Sequence, residues 1–315
     1  MIKLVLSILS IKIASIATYL ATEILAKYVY SYSKNFKDFG KIFLFIYAGL
    51  LFTLIPLMIS INLALLGETN LAYYNILYNV LLDSTISSGI LILISKKEES
   101  ISLDKKLIFI ISLIFTINIF LIIKRFLNTV DSLLLFSLFI ILSIFLLNDI
   151  KKTKIYKNLE KKDHDKINIL TKIFFILFSF IIFIISSQIL SYNAIYLKST
   201  LKNIPLVAYI INLVSNTAPT LIFGYVIYKE SKNFEEGYIS ILGQFFYSFT
   251  IGIGIISGIY PILFTGKDIN AIISSFLTLY SSLIIFNLYA YGYNLPKEIG
   301  IFLIILGFLI SLTTI

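Results

Sequence analysis

Asn75, Asn79 and Asp83 recur every four residues inside one apolar run, and Ser240, Gln244 and Ser248 do the same inside another. Residues four apart share one face of a helix, so each set forms a polar stripe. Two prolines accompany the stripes. Pro56 stands three residues after Thr53, and Pro219 lies in "SNTAPTLI" (Ser215–Ile222), after Asn216 and Thr217 and just before Thr220. A proline inside a helix removes one i→i−4 hydrogen bond and frees a carbonyl. Freed carbonyls, amides and hydroxyls are hard oxygen ligands of the kind that hold Na+ or Ca2+. Asp83 supplies the one carboxylate of the two stripes. At membrane depth an unpaired carboxylate is costly, which makes it the candidate metal ligand or proton carrier. The plainer alternatives are polar glue between helices for the stripes and packing kinks for the prolines. The matched placement of the two sets favours a site.

These residues must be positioned by membrane helices. The 315-residue chain is 58% hydrophobic with a mean hydropathy of +0.95, above the usual 45–50% apolar content of soluble domains. A crossing takes roughly 20 apolar residues. Ten spans are expected, at 4–30, 42–66, 71–95, 106–124, 132–149, 168–192, 204–228, 239–263, 269–291 and 298–315. The fold class is therefore an all-α integral membrane protein. The first run continues to about Tyr30 without a small-residue cleavage site and carries Glu23, so it is expected to be a retained helix rather than a signal peptide. Lys12, eleven residues before Glu23, stands too far along the helix to pair with it. Glu23 is expected to find its partner on another helix.

The polar stretch 148–166 divides the spans five and five. Five is odd, so the second half must insert upside down relative to the first, giving two inverted repeats: residues 1–149, a basic loop at 150–167, and residues 168–315. Pro56 and Pro219, 163 residues apart, fall at matching depths in spans 2 and 7, each expected to break its helix. Connections after the odd-numbered spans hold 18 lysines, against 6 basic residues on the other side. That asymmetry places the central loop in the cytoplasm and both termini outside, in the cell membrane.

The same charge count answers the net +9. The basic residues sit in particular loops between apolar runs, so lipid and a transported cation are the expected partners, not nucleic acid. There is no cysteine, His164 is the one histidine and lies in the charged loop, and neither HExxH nor GxSxG occurs. The usual parts of an intramembrane hydrolase are missing. No enzyme activity and no cofactor are expected.

The order of these features resembles the sodium/calcium exchanger membrane region of the Ca2+:cation antiporters. Each repeat of that family carries a Gly-Thr-Ser-x-Pro-Glu-like segment, an acidic connection, then a Gly-Asn-x-x-Gly-Ser-Asn-x-x-Asn-like segment. The first copy here is "FTLIPLMISINLALLGETNLAYYNILYNVLLD" (Phe52–Asp83), and the second runs from "SNTAPTLI" to Ser248. The resemblance covers nearly the whole chain. It implies an ion-binding midplane lined by Thr53, Asn79, Asp83, Asn216, Thr217, Thr220, Gln244 and Ser248, with Pro56 and Pro219 as helix breaks. It also implies that spans 1 and 6 slide across the core formed by the repeats. Asp83 and Ser248 stand at the family's final Asn. The family's paired glutamates are Leu57 and Thr220 here, and Tyr74 and Tyr78 replace small residues. The expected function is a secondary-active antiporter for Ca2+, Na+ or H+. The alternatives are a transport-inactive scaffold or regulator of the same fold, and another ten-helix inverted-repeat transporter.

Overall fold

The computed structural model describes residues 2–33, 42, 44–95, 105–152, 166–232, 234–290 and 296–313. His164 and most of the basic central loop lie outside the described residues. Among the described residues thirteen helices, three of them preceded by a π turn, carry the chain across the membrane. The first repeat holds α1 (Ile2–Ser33), a π turn (Leu44–Ala48) running into α2 (Gly49–Leu65), and α3 (Thr69–Leu82). A second π turn (Asp83–Ser87) continues α3 into α4 (Ser88–Ile94), and α5 (Lys105–Ile123) and α6 (Thr129–Lys152) follow. The second repeat holds α7 (Lys166–Leu201), α8 (Ile204–Ser215), α9 (Thr217–Ser231) and α10 (Phe234–Tyr247). A third π turn (Ser248–Gly252) leads to α11 (Ile253–Ile259), then α12 (Gly266–Ala290) and α13 (Lys297–Thr313).

Long apolar runs make these helices, and capping residues start some of them. Asn203 accepts the Leu206 amide at 3.0 Å and starts α8, with Pro205 in the first turn. At α6, the Asn128 side chain accepts the Val130 and Asp131 amides while Asp131 accepts the Asn128 amide. Such reciprocal bonds satisfy donors that a helix start leaves open. Among the described residues nine helices are long and apolar enough to cross a membrane. The 17-residue α13 supplies the tenth crossing. Span limits agree with the sequence expectation to within a few residues, except that α7 runs nine residues further, to Leu201.

Burial separates centre from periphery. The α3–α4 and α10–α11 rods are each 89% buried along their crossing, whereas α1 and α6 are 28% buried. α1 packs lengthwise on α7 outside this centre. Connections after the even-numbered spans meet on one face. Glu68 pairs with Lys198, Asn70 donates to the Leu263 carbonyl at 3.0 Å, and β1 (Phe126–Leu127) pairs antiparallel with β2 (Ile262–Leu263). On the opposite face Lys297 donates to the Leu93 carbonyl. This is the alternation that inverted five-helix repeats require.

Two expectations are corrected. α2 runs through Pro56 without a break. Only the second repeat is interrupted, at Asn216 (φ −115°, ψ −40°), three residues before Pro219. Glu23 pairs with Lys27 one turn along its own helix at 2.8 Å, not with another helix.

Candidate functional site

The centre of the molecule is a carboxylate. Asp83 is fully buried. Its Oδ1 accepts the Ser87 hydroxyl at 2.9 Å and its Oδ2 accepts the Thr220 hydroxyl at 3.1 Å. Ser87 also reaches the Thr217 carbonyl at 3.3 Å. A carboxylate offers about four acceptor positions, so these two donors leave capacity facing the interior. The π turn sets the geometry. It widens the helix at the residue where Asp83 projects, and Ser88 closes on the Asp83 carbonyl at 2.8 Å. Single π turns inside helices often mark functional sites.

Around the carboxylate stand polar groups that the protein itself does not satisfy. Gln244 neighbours the Asp83 carboxyl. Neither amide atom of Asn79 nor Ser248 Oγ has a hydrogen-bond partner among the described residues, and the Gln244 amide is engaged by nothing but its approach to Asp83. Asn79 lies one helical turn before Asp83, and Ser248 one turn after Gln244. The two π turns bring them together: 83–87 packs on α10 and 248–252 packs on α3. A buried polar group without a partner costs about 1–3 kcal/mol. Natural structures keep few of them, and clusters call for a functional explanation.

The remaining expected residues divide. Thr220 touches Asp83 directly. Asn216 donates to Asn212 Oδ1 at 2.5 Å, while its own Oδ1 has no partner among the described residues. Thr53 bonds back to the Gly49 carbonyl at 2.8 Å, with a longer contact of 3.4 Å to the Gln244 carbonyl. The Thr217 hydroxyl bonds to the Asn212 carbonyl at 3.1 Å, and its backbone carbonyl rather than its side chain meets the Asp83 network. Asn75 belongs to a separate, satisfied clasp. It donates to the Pro56 carbonyl and Ser60, and receives Asn212 on its carbonyl and Oδ1 at 2.9 and 3.0 Å. Ser87 was not among the expected residues. Continuing the four-residue stripe one step past Asp83 reaches it.

Both prolines, with Asn216, Thr220 and Thr22, line a narrow cavity of about 10 Å³ between α1, α2, α7 and α9, near the lower limit for one water molecule. Thr220 thus lines this cavity and bonds to Asp83. On the other side of Asp83 along α3 the packing is aromatic. Tyr74 stacks on Tyr78 with centroids 5.9 Å apart, Tyr78 meets the edge of Tyr209, and Tyr74 donates to Asp268 Oδ1 at 3.0 Å. Tyr74, Tyr78 and Phe245 are all fully buried. No group of three or more His, Cys, Asp or Glu side chains occurs among the described residues. The groups bonded to the Asp83 carboxylate are the hydroxyls of Ser87 and Thr220.

Ten membrane helices in two inverted repeats, with the polar centre at their crossing, define an exchanger-type membrane fold. No protein-family model matches the chain, and no curated protein matches it. Solved structures do. The sodium-calcium exchanger NCX_Mj, soaked with 10 mM Na+ and zero Ca2+, superposes with a TM-score of 0.66 at 13% identity, covering 97% of each chain. The same exchanger with 2.5 mM Na+ and 10 mM Sr2+ gives 0.66 at 12% identity over 99% of each chain. The H+/Ca2+ exchanger CAX gives 0.66 at 14% identity, over 98% of this chain and 88% of its own. The chain has the fold of these exchangers.

Proposed function

We propose that the protein is a secondary-active cation transporter with one midplane site, and that Asp83 is its charged ligand or proton carrier. The buried carboxylate with Gln244 beside it, and the unpartnered polar atoms of Asn79 and Ser248 on the helices that cross there, carry this reading. The exchanger fold supports it, since the structures that share it are a sodium-calcium and an H+/Ca2+ exchanger. Thr220 and Asn216 would receive the cation from the proline-lined cavity, and alternating access would follow from movement of α1 and α7 over the core. Divalent ions favour several charged ligands, so a single carboxylate suits Na+ or H+ better than Ca2+. The protein acts without a cofactor and is not an enzyme. It sits in the cell membrane with the basic loop in the cytoplasm. Flux in proteoliposomes tests the reading. Asp83→Asn should abolish cation-dependent flux of Na+, H+ or Ca2+, and unchanged flux in this variant would overturn it.

A second reading is a transport-inactive scaffold, and the solid packing of Tyr74, Tyr78 and Phe245 favours it. The chain has no native cysteine, which makes a clean test available. Asn79→Cys should react with a small charged thiol reagent if the site is watered in any transport state. Complete protection under all cation gradients would favour the scaffold. Single cysteines at the exposed Ser199 and in the basic loop, labelled from either side, check the orientation.

A further inference from the structure

The sequence holds 26 Lys and Arg, and a single one of them, Arg125, is arginine. It sits where α5 leaves the membrane, two residues past Ile123. Its backbone is left-handed (φ 60°), an uncommon conformation for a residue with a side chain. The carbonyl of Arg125 is held there by the Phe264 amide at 3.0 Å, beside the β1–β2 pair. The side chain is exposed.

The neighbouring acids are engaged elsewhere. Asp131 binds Lys124 at 2.5 Å, and Asp268 accepts from Thr265 and Tyr74. Arg125 makes no ion pair among the described residues.

Beside this cation the outer faces of α5 and α12 leave a groove of about 170 Å³ with a wholly apolar lining that includes Ile119, Ile122, Ile123, Ile273, Phe276 and Leu277. An apolar void of about 150 Å³ is large enough to take a benzene-sized guest. Ile123 lines the groove, and two residues of chain span at most about 7 Å, so the groove is within reach of the Arg125 side chain. Arginine matches phosphate oxygens with a planar fork of donors, which lysine cannot do.

We propose that this groove is a binding site for an anionic phospholipid, with an acyl chain between α5 and α12 and the phosphate on Arg125. An anionic headgroup fits the unpaired charge, and the dry groove fits the chain.

Native mass spectrometry of the full-length protein, offered phosphatidylglycerol and phosphatidylcholine with identical acyl chains, tests this. Wild type should retain phosphatidylglycerol preferentially. Arg125→Gln should reduce that preference by about five-fold, the weight of one basic residue at a membrane surface, and Arg125→Lys should restore part of it. Leu277→Trp, at a lipid-facing position 62% exposed, should fill the groove and lower retention of both lipids. The proposal fails if Arg125→Gln holds phosphatidylglycerol at the wild-type level. It fails equally if inorganic phosphate alone displaces the lipid, because the acyl chain would then contribute nothing. All three substitutions fall on two exposed side chains, and size-exclusion profiles of the variants check that the fold is kept.

Discussion

The π turns at Asp83–Ser87 and Ser248–Gly252 are built alike and do different chemistry. Each follows a 14-residue helix, spans five residues and precedes a seven-residue helix. Thr85 and Thr250 each bond back to the carbonyl four residues earlier, Leu81 or Phe246. The first turn opens with a carboxylate gripped by two hydroxyls. The second opens with Ser248, whose hydroxyl has no partner among the described residues. The flanking helix crossings diverge the same way. α8 meets α3 through the Asn212–Asn75 amides, whereas α2 meets α10 through the bare backbones of Gly49 and Gly243. The backbone of a repeat satisfies its own hydrogen bonds, so its shape survives changes in side chains that leave nothing of the ligand symmetry. Charge has been kept on one side of the crossing only.

Breaking the dry crossing should have the largest effect. A Cβ on Gly243 would overlap the Phe45 carbonyl oxygen, a backbone atom that cannot rotate aside. Overpacking typically costs about 1–3 kcal/mol and sometimes more, so Gly243→Val should eliminate monodisperse protein in size-exclusion chromatography. Gly224→Ala, with its nearest neighbour a side-chain carbon at 3.6 Å, should behave as wild type. Next comes an attempt to restore symmetry between the turns. Ser248→Asp adds a second carboxylate to the site and should create Ca2+ binding, seen as Ca2+-dependent thermal stabilisation. At 100 times Kd a bound ion contributes about 2.7 kcal/mol. Absence of any Ca2+ effect would place Ser248 away from the cation.

The amide crossing should yield less. Asn212→Leu removes its bonds to Asn75 and to the Ala208 carbonyl. Interhelical hydrogen bonds in membranes average about 0.6 kcal/mol and reach about 1.7, so denaturation in mixed micelles should show a loss of about 1–2 kcal/mol with the protein still folded. The smallest effect belongs to the surface. Lys198 and Glu68 are 32% and 24% exposed, and Lys198→Met should cost about 0.2–1 kcal/mol, less at high salt.

Hydrophobic run length alone placed the spans, because lipid forces each crossing to satisfy its own backbone. The stripes at 75–83 and 240–248 were legible for the same reason, since polar residues are rare and noticeable at that depth. The π turns were not legible. They occur in the unlike sequences LFIYA, DSTIS and SFTIG, and no composition marks them. Pro56 misled because a transmembrane helix tolerates proline when neighbours support it. The real interruption is at Asn216, where the Thr217 hydroxyl bonds to the Asn212 carbonyl, a side-chain-to-backbone bond that competes with the helix ladder. Thr53 and Asn216 occupy equivalent positions, but only the free oxygen of Asn216 was left for a ligand, a distinction that depends on packing and not on residue type.

The lengths of α1 and α7 have a consequence of their own. They hold 32 and 36 residues, or about 48 and 54 Å at 1.5 Å per residue, against a hydrocarbon core of about 30 Å. Two rods this long, lying side by side, must lean over or protrude, and the lean deepens as the bilayer thins. Bilayer thickness therefore acts directly on this pair of helices, and the lipid around the protein sets the angle at which they lean.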